Sequence, residues 1–143
     1  MKDNIILRKV WQDNDMAEVE VICSSSVAAA MSKIYVCNEI IDELRLEIDL
    51  FLRGCTKEGF WISGEFGNES TACVSFRFIR KDRQGHVLVE VFMELDDGGG
   101  FDTHNCCFYV NTEYGMLMNF SKSLSYLKTN PPSFELRLNH WFD

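Results

Sequence analysis

Residues 71–102 read TACVSFRFIRKD, then RQG, then HVLVEVFMELDD, then GGGFD, and this stretch decides the fold class. Apolar and polar residues alternate with a period of two on both sides of the Asp82-Arg83-Gln84-Gly85 turn, the pattern of a β-hairpin with one buried face. On the first strand Ala72, Val74, Phe76 and Phe78 share a face. On the second, Val87, Val89, Val91, Met93 and Leu95 point one way and Leu88, Glu90, Phe92 and Glu94 the other. Glu90 and Glu94 therefore lie on one face and lead toward Asp96, Asp97 and Asp102. An amphipathic strand that runs out into carboxylates, with no base or nucleophile beside it, points to a docking surface for a basic partner.

Working outward from that hairpin, residues 4–11 and 17–23 read as two strands across the turn QDND, and residues 27–36, ending in IYV, as a third. Residues 38–53 read as a helix. Asn38 is placed to cap it, Glu39, Asp42 and Glu43 put negative charge in its first turns, and Ile41, Leu44, Ile48 and Leu52 recur at helical spacing. Gly54 follows as a left-handed stop. Residues 60–65, 71–80, 86–95 and 103–110 read as four more strands. A second helix is predicted from residue 111 or 112, with Leu117, Phe120, Leu124 and Leu127 as its apolar seam and Pro131 and Pro132 beyond its end. The tail, 134–142, reads as a short strand or an ordered arm. Runs of strands separated by helices predict an α+β fold: antiparallel sheets with two helices packed on them, in the order strands, helix, strands, helix, within one domain spanning 1–143.

The net charge of −8 and the pI of about 4.8 set the electrostatic expectation. Such a chain is repelled by polyanions and anionic lipid and attracted to basic proteins or cations, although acidity also serves solubility alone. The opening MKDNIILRKVWQD lacks a signal-peptide pattern, and no apolar segment approaches the roughly 20 residues of a membrane span. A cytoplasmic protein is expected. The six cysteines form no Cys-x-x-Cys pair, which fits small buried apolar residues in a reducing compartment. Cys106 and Cys107 are strand neighbours and face opposite ways.

Catalytic constellations are sparse. His104 and Cys106 share a strand face and offer two zinc ligands, but no motif supplies two more. His86 lies at a turn and His140 beside Trp141. The stretch Asp96 to Asp102 has acids and glycines like a calcium loop without its regular ligand spacing. Phosphate-binding loops, dinucleotide fingerprints and nucleophile elbows do not occur. Arg77, Arg80, Lys81 and Arg83 beside Phe76 and Phe78 make a candidate single-strand nucleic-acid site, yet both aromatics fall on the apolar face of their strand. The reading is a non-enzyme with no cofactor and no metal.

The helix NEIIDELRLEIDLFL (38–52), the strand FWISGEFG (60–67), the pair ACVSFRFIRKDRQGHVLVEVFMELDD (72–97) and the stretch CCFYVNTEYGMLMNFSKSL (106–124), in that order, resemble the immunity proteins of contact-dependent growth inhibition systems and the related WapI-type immunity family. The alternation of strand sets and helices is also similar to the Whirly type of single-strand-binding fold. The resemblance implies neutralisation without catalysis: an acidic protein covers the basic cleft of a cognate toxin's C-terminal nuclease domain, an RNase of the EndoU type by analogy. No nucleic acid and no membrane is expected as a partner. The family transfers no residue motif, so the toxin-facing candidates come from the surface reading above. They are Glu90, Glu94, Asp96, Asp97, Phe101 and Asp102, then Glu39, Asp42 and Glu43, with Trp141 and Phe142 as further aromatic anchors. The alternatives are a Whirly-like single-stranded nucleic-acid module using the sheet and the 77–83 hairpin, and a small metal enzyme using His104, Cys106 and the loop acids.

Overall fold

The computed structural model describes residues 2–64, 72–95 and 104–140. In chain order the elements are β1 (Asn4–Gln12), β2 (Ala17–Ser24), β3 (Ala29–Val36), α1 (Asn38–Leu52), β4 (Gly59–Ile62), β5 (Val74–Arg80), β6 (His86–Leu95), β7 (His104–Glu113), α2 (Tyr114–Thr129) and β8 (Glu135–Arg137). They form two four-stranded sheets, ordered β3-β2-β1-β8 and β4-β5-β6-β7, with every neighbouring pair antiparallel. The fold is α+β, as the alternation of strand runs and helices predicts. Each sheet consists of three consecutive strands plus a fourth that lies beside the first of the three. That fourth strand is delivered by a helix from the other half of the chain: α1 leads to β4 and α2 leads to β8.

Alternation fixes the buried faces. Val87, Val89, Val91 and Met93 of β6 are buried, as are Val74, Phe76 and Phe78 of β5. In the first sheet Ile5 and Leu7, Val19, Val21 and Cys23, and Ile34 and Val36 are buried. The helices add Ile41, Leu44, Ile48, Phe51 and Leu52 from α1 and Leu117, Phe120, Leu124 and Leu127 from α2 to one continuous apolar cluster. Phe51 of α1 lies 6.2 Å from Phe78. Trp61 of β4 stacks on Phe76 at 5.4 Å, and its indole N–H donates to the Ile40 carbonyl at 3.0 Å. The inner face of the second sheet is thus sealed against α1.

Three local expectations are corrected. Asn38 does not cap α1: it is the first helical residue, and Cys37, which stands at the cap position, makes no side-chain capping bond. Strand β7 runs to Glu113, beyond residue 110, and α2 starts at Tyr114. The ladder continues because Thr112 and Glu113 still pair with Val87 and His86, and the Thr112 hydroxyl is buried in a 2.6 Å bond to Asn139 Oδ1. Strands β4 and β5 are shorter than read, ending at Ile62 and starting at Val74. Gly54 does take the left-handed conformation, at φ 77°, that terminates α1.

Candidate interaction surface on the outer face of the second sheet

Strand register sets four side chains in one row across the outer face of this sheet. Phe60 on β4 pairs with Arg77 on β5, Arg77 with Glu90 on β6, and Glu90 with Tyr109 on β7. The row is bonded throughout. The Arg77 guanidinium lies 4.9 Å from the Phe60 ring centre, its Nε is 3.5 Å from Glu90 Oε1, and its Nη1 is 3.4 Å from Glu58 Oε2. The Tyr109 hydroxyl donates to Glu90 Oε2 at 3.0 Å. That hydrogen bond, together with the Glu90 charge, pushes the Tyr109 phenol above its ordinary pKa.

Phe60 and Tyr109 are 40% and 48% exposed, so the row ends in two accessible aromatics. Half-buried Ile79 and Leu88 flank it on one side, and half-buried Ile62 and Phe92 on the other. The face is therefore apolar around a central ion pair. Glu58, Glu90 and Glu94 outnumber Arg77, so its charge balance is negative. The core holds an apolar gap of about 10 Å3 between Trp61, Leu7, Val36, Leu44 and Leu124, room for about one water.

The sequence-read site residues fall into three groups. Glu90 and Glu94 share the outer face of β6, as the alternation requires. Glu39, Asp42 and Glu43 lie on α1, which packs against the inner face of the same sheet, so the sheet separates them from Glu90. Asp42 is paired with Lys128 of α2 at 2.7 Å. The Glu39 carboxyl is held below its ordinary pKa by its own backbone N–H at the start of α1. Asp96, Asp97, Phe101 and Asp102, and the tail residues Trp141 and Phe142, lie outside the described residues.

The basic hairpin is dispersed. Arg77 turns to the outer face, while Arg80 crosses to α1, donating to the Phe51 carbonyl at 2.7 Å with its Cζ 4.9 Å over the Phe51 ring. Lys81 bonds Asn111 Oδ1 at 3.1 Å, and Phe76 and Phe78 are core. His86 sits 2.6 Å from Asp82 within its turn. Burial and the neighbouring Cys107 push the Cys106 thiol up, and all six cysteines are free. Among the described residues no three His, Cys, Asp or Glu side chains form a metal-binding group.

Sequence reasoning missed Phe60 and Tyr109. Their outward direction was legible from alternation, but their convergence on Arg77 and Glu90 depends on the register of four strands, which no single strand encodes. Comparison with protein-family models, with curated proteins and with solved structures finds no match to this chain. Among the described residues no helix is long and apolar enough to cross a membrane.

Proposed function

We propose that this protein is a cytoplasmic immunity protein, Whirly-like in fold, that binds a cognate nuclease toxin and blocks it by covering its basic cleft, with no catalysis of its own. An RNase of the EndoU type fits the resemblance of the sequence. The observation that carries the reading is the Phe60–Arg77–Glu90–Tyr109 row. Both Glu90 oxygens are already oriented, one by Arg77 and one by Tyr109, and an ionised carboxylate retains lone pairs for a further donor. An incoming arginine or lysine from a polyanion-binding cleft meets a pre-ordered acceptor between two exposed aromatics, the composition of an interface hot spot.

The test is calorimetric titration against the C-terminal nuclease domain encoded beside this gene, with nuclease activity followed in parallel. Nanomolar binding that abolishes cleavage is the expected result. Tyr109→Ala and Phe60→Ala should each weaken binding by about tenfold or more while the fold stays intact. Absence of both binding and protection refutes the reading. Exposed aromatics on a sheet also stack bases, so anisotropy with a labelled single-stranded oligonucleotide belongs in the same experiment. The two carboxylates beside Arg77 oppose that second mode.

A further inference from the structure

The outer face of the first sheet carries a different charge pattern. Strand register places Glu135 of β8 beside Arg8 of β1, Arg8 beside Glu20 of β2, and Glu20 beside Lys33 of β3. Across the sheet the row reads negative, positive, negative, positive. Within the chain, Glu135 meets Arg8 Nε at 3.1 Å through Oε2 and Arg137 Nη2 at 2.8 Å through Oε1, and Lys33 leans toward Glu18 at 3.9 Å. The side chains of Arg8 and Lys33 remain 41% and 49% exposed.

One step along the strands lies a row that is apolar on three strands, Ile6 beside Ile22 beside Met31, with Arg137 of β8 at its end. On the other side, the register shift between Lys9 and Trp11 returns Trp11 to a position opposite Glu18, which in turn pairs with Tyr35. Such a bulge turns a strand without ending it. Trp11, Met31 and Tyr35 are all exposed large side chains, and both helices lie on the opposite, inner side of this sheet.

An alternating row of four charges read backwards is its own complement. We propose that this face docks a second copy of the same chain, about a twofold axis that runs parallel to the strands between β1 and β2. That axis stacks β1 on β2 of the second copy and β8 on β3. Arg8 then faces Glu20 of the second copy, Glu135 faces its Lys33, and Ile6 faces its Ile22. The other in-plane twofold, along the row, sets each charge against its own copy and is excluded by repulsion. The chemistry of the face thus selects both the partner and the symmetry operator.

Size sets the strength. Three strands of roughly seven residues and the three-residue β8, about 4.8 Å apart with about 3.3 Å per residue, cover roughly 380 Å2 per copy. Twice that area falls below the roughly 1,200 Å2 of stable specific interfaces and in the range of weak, transient contacts, so the dimer should form with a Kd on the order of 100 μM.

Charge reversal tests the arrangement directly. In sedimentation velocity from about 1 μM to about 300 μM, the native chain should pass from monomer to dimer. Arg8→Glu alone sets Glu against Glu20 of the second copy twice over, and Glu20→Arg alone sets Arg against Arg8 twice over, so each variant should remain monomeric. Mixed together, the two variants restore opposite charge at all four positions, and a heterodimer should reappear. A repair that needs two different chains reports a contact between them and cannot come from pairing within one. Thermal unfolding of each variant separates lost association from lost fold. If either variant unfolds, Lys33→Glu mixed with Glu135→Lys makes the same test at the outer pair. A native chain that stays monomeric throughout, or a mixture that stays monomeric while both variants are folded, overturns the proposal.

Discussion

Lys9 stands where the pattern of β1 asks for an apolar side chain. It is 1% exposed on the inner face between Leu7 and the end of α2, and all its acceptors are uncharged. Its Nζ donates to the Asn130 carbonyl at 2.8 Å, the Lys128 carbonyl at 3.3 Å and Gln12 Oε1. The main chain of Lys9 also holds Phe134 and Ser133 through bonds of 3.0 and 2.8 Å. The ammonium thus takes the place of water at the C-terminal carbonyls of α2, where a cation also suits the helix dipole. Burial lowers its pKa from the ordinary 10.5. The unfolded chain therefore binds more protons than the native one between the depressed value and 10.5, and stability contributed by this group rises with pH across that window. Below the native value both states are protonated and the slope vanishes. Urea unfolding of the wild type and of Lys9→Met, compared from neutral pH to about pH 10, should show the difference shifting toward the wild type as pH rises. A difference that stays constant with pH would mean that Lys9 is not desolvated.

At the scale of the element, β8 has three residues and three register pairs with β1, too little ladder to hold a strand by itself. Asn139, two residues beyond it, supplies the anchor. Its Nδ2 donates to the carbonyls of Asp3 at 2.9 Å and Asn111 at 2.8 Å, and its Oδ1 accepts from Thr112 at 2.6 Å. Its backbone exchanges hydrogen bonds of 2.9 and 3.1 Å with the Asn4 amide. One buried side chain thereby ties the end of β8 to the start of β1 and to β7 of the other sheet. Asn139→Leu strands buried acceptors and the Thr112 hydroxyl together, and should cost about 3 kcal/mol in denaturant unfolding. A loss below roughly 0.5 kcal/mol would show that the network is replaceable. The same element marks where the sequence stopped being legible. The strands with strict alternation, β2 and β6 above all, and the apolar stripes of both helices follow from period alone. That β8 returns to β1 at the far end of the chain does not, because a strand of three residues carries no signature of its partner. Thr112 read as a helix start because its buried hydroxyl is satisfied only by Asn139, far along the chain. Glu90 was legible as an outward acid, but its bonds to Arg77 and Tyr109 were not.

The molecule has a net charge of −8, and acids lie on both sides of the second sheet. Glu39, Asp42 and Glu43 belong to the helix side and Glu90 and Glu94 to the outer face, so one flat partner cannot cover both sets. Long-range attraction sums over all of these charges and accelerates encounter from any direction, whereas dissociation responds to groups desolvated in the contact. The two sets should therefore separate in the kinetics of binding to the nuclease domain proposed as the partner. Reversing Glu39, Asp42 and Glu43 to lysine should slow association severalfold and leave dissociation unchanged, apart from a small stability loss as the Asp42–Lys128 pair breaks. Reversing Glu90 and Glu94 should slow association comparably and also speed dissociation by about tenfold to a hundredfold, because Arg77 and Tyr109 lose their shared acceptor inside the contact. Biosensor traces at two ionic strengths measure both rates, since salt suppresses the steering component and spares the desolvated one. If the helix-side triple change is the one that speeds dissociation, the proposed partner seats on α1 and α2 instead, and the Phe60–Tyr109 row is a structural brace of the sheet.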